Sequence, residues 1–525
     1  MLTHLNKENY PSGQVKTRPL NPDYAYPWQP DCANGTYCNP IIFADYSDPD
    51  VIRAGEDFYL TASSFNCTPG LPILHSKDLV NWRIVNHAIK NLPHPRYAAV
   101  QPGCGVWAPA MRYHAGKYWI FFSMPDEGIY LTTADDPTGK WSEPHLVQEG
   151  RGLIDPCPLW DDDGQAYLVH AYANSRSGIK HKLRVCPMAA DGLRLLGEGA
   201  IIFDDPKRHP TLEGPKFFKK DGCYYILAPA GGVETGWQVA LRSKNVFGPY
   251  EDRIVLHQGK TIVNGPHQGA LVDLPNGENW FIHFQDAGVY GRITHLQPVR
   301  WQDGWPLMGT EPDEKGIGQP VLQYPKPEGL ANGLCVIPQT SDDFDSSKLG
   351  LQWQWHANHR DDWYSLDARK GWLRLYSQPA GNKDLREMPN LLMQKFPARM
   401  FSVETMLDFA GGQPGEGGGL VISGQACATF ALEIDKTGRR IVLRINGEEK
   451  FARPYTAHSV KFQVSVREGG LCHFSLTDGD SIIRIPQSLA AQKGIWIGAK
   501  IGLYSCKRLE NGQSGYMDAD YFRFA

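Results

Sequence analysis

One unit recurs five times in this chain, and that recurrence limits the fold more than any single motif. The segments are SDPDVIRAGEDFYLTAS (47–63), VWAPAMRYHAGKYWIFFS (106–123), LIDPCPLWDDDGQAYLVHA (153–171), LEGPKFFKKDGCYYILAP (212–229) and PHQGALVDLPNGENWFIHF (266–284). Each is a short strand, a polar turn holding one glycine, and a second strand rich in aromatic or β-branched residues. The turn glycines are Gly55, Gly116, Gly164, Gly222 and Gly277, spaced by 61, 48, 58 and 55 residues. Turn-plus-aromatic segments lie between the units, at HSKDLVNWRIV (75–85), TADDPTGKWSEP (133–144) and SKNVFGPYEDR (243–253). About 50 residues carrying four short strands make one propeller blade, and a repeat of that length implies a closed or stacked array. The expectation is an all-β chain with a five-bladed β-propeller over residues 38–310. Helical periodicity is nearly absent, as that requires.

The flanks read differently. Residues 1–37 are polar and lack periodicity, as expected of an extended N-terminal arm. Residues 311–340 are rich in Pro and Gly and read as a linker. From residue 341 to 525 about ten short strands follow without a blade-length repeat, which fits a β-sandwich of the concanavalin or lectin-like jelly-roll type. The net charge of −4 offers no basic field for nucleic acid or an anionic membrane. No apolar run of about 18 residues is present. The eleven cysteines are dispersed, with no CxxC spacing, and read as buried thiols. With no apolar leader near the N-terminus, a cytoplasmic location is expected. Assembly into a homo-oligomer is left open.

In a propeller the innermost strands run the same way along the axis, so their first residues converge on one mouth. The entrance residues are Asp48, Trp107, Asp155, Glu213 and His267. Three acids sharing a pocket must separate in pKa, so that one stays protonated and another ionised. An Asp-Pro step alone is an ordinary turn former, and Asp136-Pro137 and Asp205-Pro206 are read that way. Asp48, Asp155 and Glu213 differ because they recur at comparable places, each with a proline within two residues. Trp107 is read as a sugar-stacking platform or a core residue. His267 is either a channel histidine or a metal ligand.

The motifs NPIIFADYSDPDVIRAGEDFYL, WAPAMRYHAGKYWIFFS, IDPCPLW, EGPKFF and HQGALVDLPNGENWFIHFQD together resemble glycoside hydrolase family 43. That family holds β-xylosidases, α-L-arabinofuranosidases and arabinanases on a five-bladed propeller. The resemblance spans residues 38 to about 310. The region opening SDDFDSSKLGLQWQW resembles, less specifically, the β-sandwich appended in β-xylosidase-like members. The resemblance implies Asp48 as general base, Glu213 as general acid and Asp155 as the acid that tunes pKa and orientation. It implies inversion of the anomeric centre, with Arg292 touching the sugar hydroxyls and setting Asp155, and Phe65 walling the first subsite. It requires no cofactor, and in several members the histidine matching His267 holds a central Ca²⁺ or similar cation. One histidine is a poor ligand set for calcium, which prefers oxygen. Cys67 is expected where a bulkier group would narrow the subsite. A loop near 417–430 of the sandwich is expected to cap the pocket and impose exo action. The substrate is then an oligosaccharide with terminal β-1,4-xylose or α-L-arabinofuranose. Two other readings stand beside it: a non-catalytic sugar-binding propeller, and a retaining propeller hydrolase of the fructan-processing type.

Overall fold

The computed structural model describes residues 26–330, 335–381, 384–508 and 514–525. Five four-stranded antiparallel sheets follow one another in chain order. Blade I comprises Asp50–Ala54, Asp57–Thr61, Gly70–Ser76 and Arg83–Ile89. Blade II starts at Trp107–His114, blade III at Leu153–Trp160, blade IV at Lys216–Lys220 and blade V at His267–Asp273. The last strand of blade V is Trp305–Met308. The expected five-bladed propeller is therefore present. The five repeat glycines all take positive φ, from 65° at Gly55 to 91° at Gly277, the conformation that a tight hairpin turn asks of glycine.

Each blade is built from one continuous segment, so no strand is exchanged to close the ring. Closure comes from the chain just before blade I. Ile42 and Thr294 of blade V exchange both backbone hydrogen bonds, at 3.3 and 3.1 Å. The Asn39 side chain donates to the carbonyls of Leu296 and Val321, both at 2.8 Å. Between the blades themselves, the Arg53 guanidinium meets the Asp273 carboxylate at 2.9 Å.

Residues 311–340 are more than a spacer. Gln323–Pro325 pairs antiparallel with Thr36–Cys38, placing the end of the N-terminal arm and the connecting segment in one small sheet. Of the expected arm, residues 1–25 lie outside the described residues.

The C-terminal region is a sandwich of an eight-stranded and a seven-stranded sheet. Its inner faces alternate as a half-buried strand must: Phe401–Asp408 reads buried and half-buried by turns along its whole length. The core is aromatic, with Phe430 and Phe462 packed at 4.2 Å between ring centroids. Glu416–Ser423, by contrast, is buried on both faces. Met388, Leu391 and neighbours form a second small core over the outer face of its sheet, against Val421 and Tyr504.

Beneath the mouth of the propeller lies a buried charge belt. Asp50 is fully buried and pairs with Arg112 of blade II at 2.9 Å and Lys216 of blade IV at 3.3 Å. It also accepts the Met111 backbone N–H at 2.6 Å. One carboxylate thus ties three blades together. Removing one partner of a buried ionic group strands the others without water, at about 3–5 kcal/mol. Asp50→Ala is therefore expected to lower the free energy of unfolding by about that amount. Urea titration followed by tryptophan fluorescence will measure it, and a loss below about 1 kcal/mol would contradict the belt's role.

Candidate active site

A shared backbone device positions the entrance residues. Asp48, Ala108, Asp155, Gly214 and Gly265 have positive φ, between 31° and 60°, and a proline follows each one. In blades II and III this step coincides with a break in strand register, between Trp107 and Ala110 and between Ile154 and Cys157. A bulge of this kind re-aims a side chain at the end of a sheet. Non-glycine residues in this conformation cost energy, and aspartate is among the side chains that tolerate it. Asp48 and Asp155 are therefore equivalent to each other. Trp107 and Glu213 stand one residue before the step, and His267 stands two after it. The sequence reading brought all five to one mouth; the structure does so through three different offsets from the positive-φ step.

Asp48 is buried and meets donors on both carboxylate oxygens. Ser63 Oγ donates to Oδ2 at 2.6 Å and Ser47 Oγ to the same atom at 2.8 Å. Arg292 Nη1 reaches Oδ1 at 3.2 Å. Ser63 Oγ also accepts from Ala108 N at 2.7 Å, so one hydroxyl joins the carboxylate to blade II. Arg292 was expected to set Asp155, but its hydrogen bonds run to Asp48 and to Ser47 Oγ, the latter at 2.6 Å. Its guanidinium also lies 4.8 Å from the Phe284 ring centre.

Asp155 accepts the backbone N–H of Gly214 at 2.8 Å and so pins the turn that carries Glu213. Burial, then the negative charges of Glu213 and Asp48, hold its carboxyl well above the ordinary range. Glu213 keeps 29% of its side chain open to the pocket mouth. Burial is the largest cause that pushes its carboxyl up, to about 7; Asp48 adds to the rise, while Arg292 and Lys180 oppose it. One carboxyl is thus poised to carry a proton near neutrality beside a second that accepts hydrogen bonds, the pairing that acid–base catalysis needs.

His267 is buried, with Nε2 3.4 Å from Glu213 Oε1. Burial, with the positive charge of Arg292 behind it, lowers its pKa well below the ordinary value, so the ring is neutral. Its proposed part as a metal ligand does not fit the donors around it. A hard divalent ion takes six or more ligands, chiefly oxygens. Among the described residues no group of three or more His, Cys, Asp or Glu side chains is gathered for one, and Arg292 contributes repulsion.

The pocket wall is aromatic. Phe65 is buried and packs edge-on to Trp107 at 6.3 Å. The Trp107 indole N–H is buried without a protein acceptor among the described residues, a donor available to a sugar hydroxyl. The third wall comes from the sandwich. Trp496 packs edge-on to Trp107 at 6.2 Å and lies 5.6 Å from the Arg292 guanidinium. Ile495 abuts Gly103, where even a Cβ would come within 2.5 Å of it. The capping segment is therefore 494–498. The region near 417–430 belongs to two sandwich strands, Glu416–Ser423 and Ala428–Asp435. Cys67, expected beside the subsite, is buried and accepts from Lys500 Nζ of the sandwich at 3.0 Å.

Sequence reasoning missed Asp45, Ser47, Ser63 and Trp496. Asp45 Oδ1 accepts from Arg292 N and Oδ2 from Gly498 N, each at 2.9 Å. That carboxylate joins the arginine of the propeller to the capping loop of the sandwich. Its signal was present in the cluster ADYSDPD, three acids in six residues (45–50) that an ordinary hairpin entrance does not need.

The family model described as Glycosyl hydrolases family 43 matches residues 37–306, and that described as Beta xylosidase C-terminal Concanavalin A-like domain matches residues 341–525. A provisional beta-xylosidase of Xylanibacter ruminicola is 39% identical over 476 residues, covering 90% of this chain and 86% of that protein. The "Non-reducing end alpha-L-arabinofuranosidase BoGH43B" of Bacteroides ovatus is 30% identical over 433 residues, 78% of each chain. Among solved structures, the GH43 BlXynB protein of Bacillus licheniformis superposes with a TM-score of 0.80 at 26% identity, covering 93% of this chain and 99% of that one.

Ser63→Ala is expected to lower kcat/KM about tenfold with little change in KM, since it removes one donor from Asp48 and leaves the Ala108 N–H unpaired. Steady-state kinetics on an aryl glycoside will decide; unchanged kcat would remove Ser63 from the base's support.

Proposed function

Because the chain belongs to glycoside hydrolase family 43, we propose that it is an inverting exo-glycosidase releasing terminal β-1,4-linked xylose from xylo-oligosaccharides. The observation that carries this reading is the pairing of Glu213, held protonated to about 7, with the hydrogen-bonded Asp48 carboxylate, beside which Trp496 packs on Trp107. Glu213 donates its proton to the glycosidic oxygen as the bond breaks. Asp48 takes a proton from the water that attacks the opposite face of the sugar. Arg292 steadies the Asp48 carboxylate and offers its remaining N–H groups to the sugar. Asp155 fixes the Glu213–Gly214 turn. Trp107 and Phe65 supply the apolar surface on which the sugar ring rests. The wall that Trp496 adds to the mouth supports exo action.

A second reading, release of terminal α-L-arabinofuranose, is supported by the arabinofuranosidase named among the relatives. The test is a side-by-side rate measurement on p-nitrophenyl β-xylopyranoside and p-nitrophenyl α-L-arabinofuranoside. Higher kcat/KM on the xyloside is expected, and the reverse order would favour the second reading. No turnover of either would favour a sugar-binding propeller. With xylobiose, proton NMR at early times is expected to show α-xylose released from the β-linkage. A β-product would make the enzyme retaining and remove Asp48 as base.

Glu213 must be protonated to act. Its pKa is raised, so the proton is held through mildly acidic pH and lost as pH rises through about 7. On xylobiose kcat/KM is therefore expected to fall above about pH 7. Glu213→Ala is expected to lose about 10²–10⁴-fold on xylobiose but far less on an aryl xyloside whose leaving group needs no proton. Equal losses on both would contradict the general-acid role.

A further inference from the structure

Residues 174–182 read NSRSGIKHK, with four basic side chains in the seven residues from Arg176 to Lys182. A short helix, Asn174–Ser177, ends at Gly178 with φ of 71°. Contacts at both ends fix its course. At one end the Arg176 guanidinium lies 5.1 Å from the Trp107 ring centre and Nη2 donates to the Gly103 carbonyl at 3.1 Å. At the other, His181 Nδ1 accepts the backbone N–H of Thr211, two residues before Glu213. The segment therefore bridges the aromatic platform and the acid.

Its charges are not equally free. Arg176 faces Asp126 at 3.6 Å, and Lys182 pairs with Asp204 at 2.8 Å. Lys180 is exposed, and among the described residues no carboxylate pairs with it. Its ammonium is nevertheless close enough to act electrostatically on Glu213. The other charged groups acting on Glu213 are Asp48 and Arg292, with Asp155 coupled to it and the neutral His267 in contact. Those four belong to the sugar pocket. Of the groups acting on Glu213, Lys180 alone is exposed.

The acid protonates the departing glycosidic oxygen, so the leaving group lies beside the acid. We infer that residues 174–182 form the leaving-group subsite and that Lys180 selects oligosaccharides whose penultimate sugar carries a carboxylate, such as a uronic acid branch. The inference rests on the glycosidase reading above and gives its substrate a charge. Arg176 contributes by holding the Trp107 edge of the rim. A chain of net charge −4 gains no such preference from its overall field; the preference is local to this segment.

The test compares a xylo-oligosaccharide bearing a uronic acid on its penultimate residue with the methyl ester of the same compound. The ester removes the charge and adds one methyl group, and the Lys180 variants separate the two effects. For the wild-type enzyme kcat/KM is expected to be about fivefold higher for the acid, the size of one exposed ion pair, and the preference should shrink as salt rises from 0.05 to 0.5 M. Lys180→Gln should bring the acid-to-ester ratio to about one, Lys180→Glu should take it below one, and Lys180→Arg should keep it. A wild-type ratio of one, or the same ratio in wild type and Lys180→Gln, overturns the inference. Turnover of neither form, with none on xylobiose, contradicts the glycosidase reading instead. The acid-to-ester ratio of dissociation constants, by calorimetry, then decides the Lys180 inference by the same criteria.

Discussion

The structure turns on the cost of burying carboxylates. Five of them, Asp45, Asp48, Asp50, Asp155 and Glu213, gather at and beneath one mouth of the propeller, and the four aspartates are buried. A buried charge without a partner is expensive, so each must be compensated or must keep its proton. Three of the five stand within six residues, at 45, 48 and 50, and each is satisfied differently. Asp50 is held by Arg112 and Lys216 from neighbouring blades. Asp48 has two serine hydroxyls and Arg292. Asp45 has two backbone N–H groups. Asp155 and Glu213 receive less, and there the proton stays on. The division of labour among the acids is a division of hydrogen-bond donors.

That accounting also explains why the sandwich is part of the site. Gly498 N is one of the two donors to Asp45, and the other is the backbone N–H of Arg292, the residue whose guanidinium reaches Asp48. A Cβ at Gly291 would fall 2.5 Å from the Asp45 carboxyl, so only glycine lets the strand approach. The domains are further joined by backbone bonds between Thr68 and Trp355, at 3.1 and 2.6 Å. Trp496 is thus delivered by the same contacts that orient Arg292, and the capping segment and Asp48 share one support.

The hairpin repeat made the propeller legible, because turn glycines and β-rich flanks are local signals that survive without tertiary context. Asp48, Asp155 and Glu213 were legible because they sit beside those signals. The sandwich was legible as a class from its short strands. The capping loop was not: GGLVISGQACATF and KGIWIGAK look alike as glycine-bearing apolar segments, and only the sheet order decides which becomes a strand and which reaches the pocket. The partner of Arg292 was also hidden, since Asp48 and Asp155 occupy equivalent steps and sequence offers no way to choose between them. Cys67 was read at the subsite because sequence gives no sign of the sandwich lysine it faces, Lys500.

The offsets at the blade entrances carry a mechanistic consequence. Had all five entrance residues shared one register, every side chain would point at the axis and the carboxylates would crowd a single point. The positive-φ step puts Asp48 and Asp155 at one level, and Glu213 one residue earlier, at the mouth. On the inverting mechanism proposed above, the acid and the base stand on opposite faces of a sugar with room for a water between. A one-residue offset between blades, fixed by proline and a left-handed backbone, is how a pseudo-symmetric scaffold gives two like residues unlike positions. The symmetry of the propeller brings the acids together, and its local breaking gives them different work.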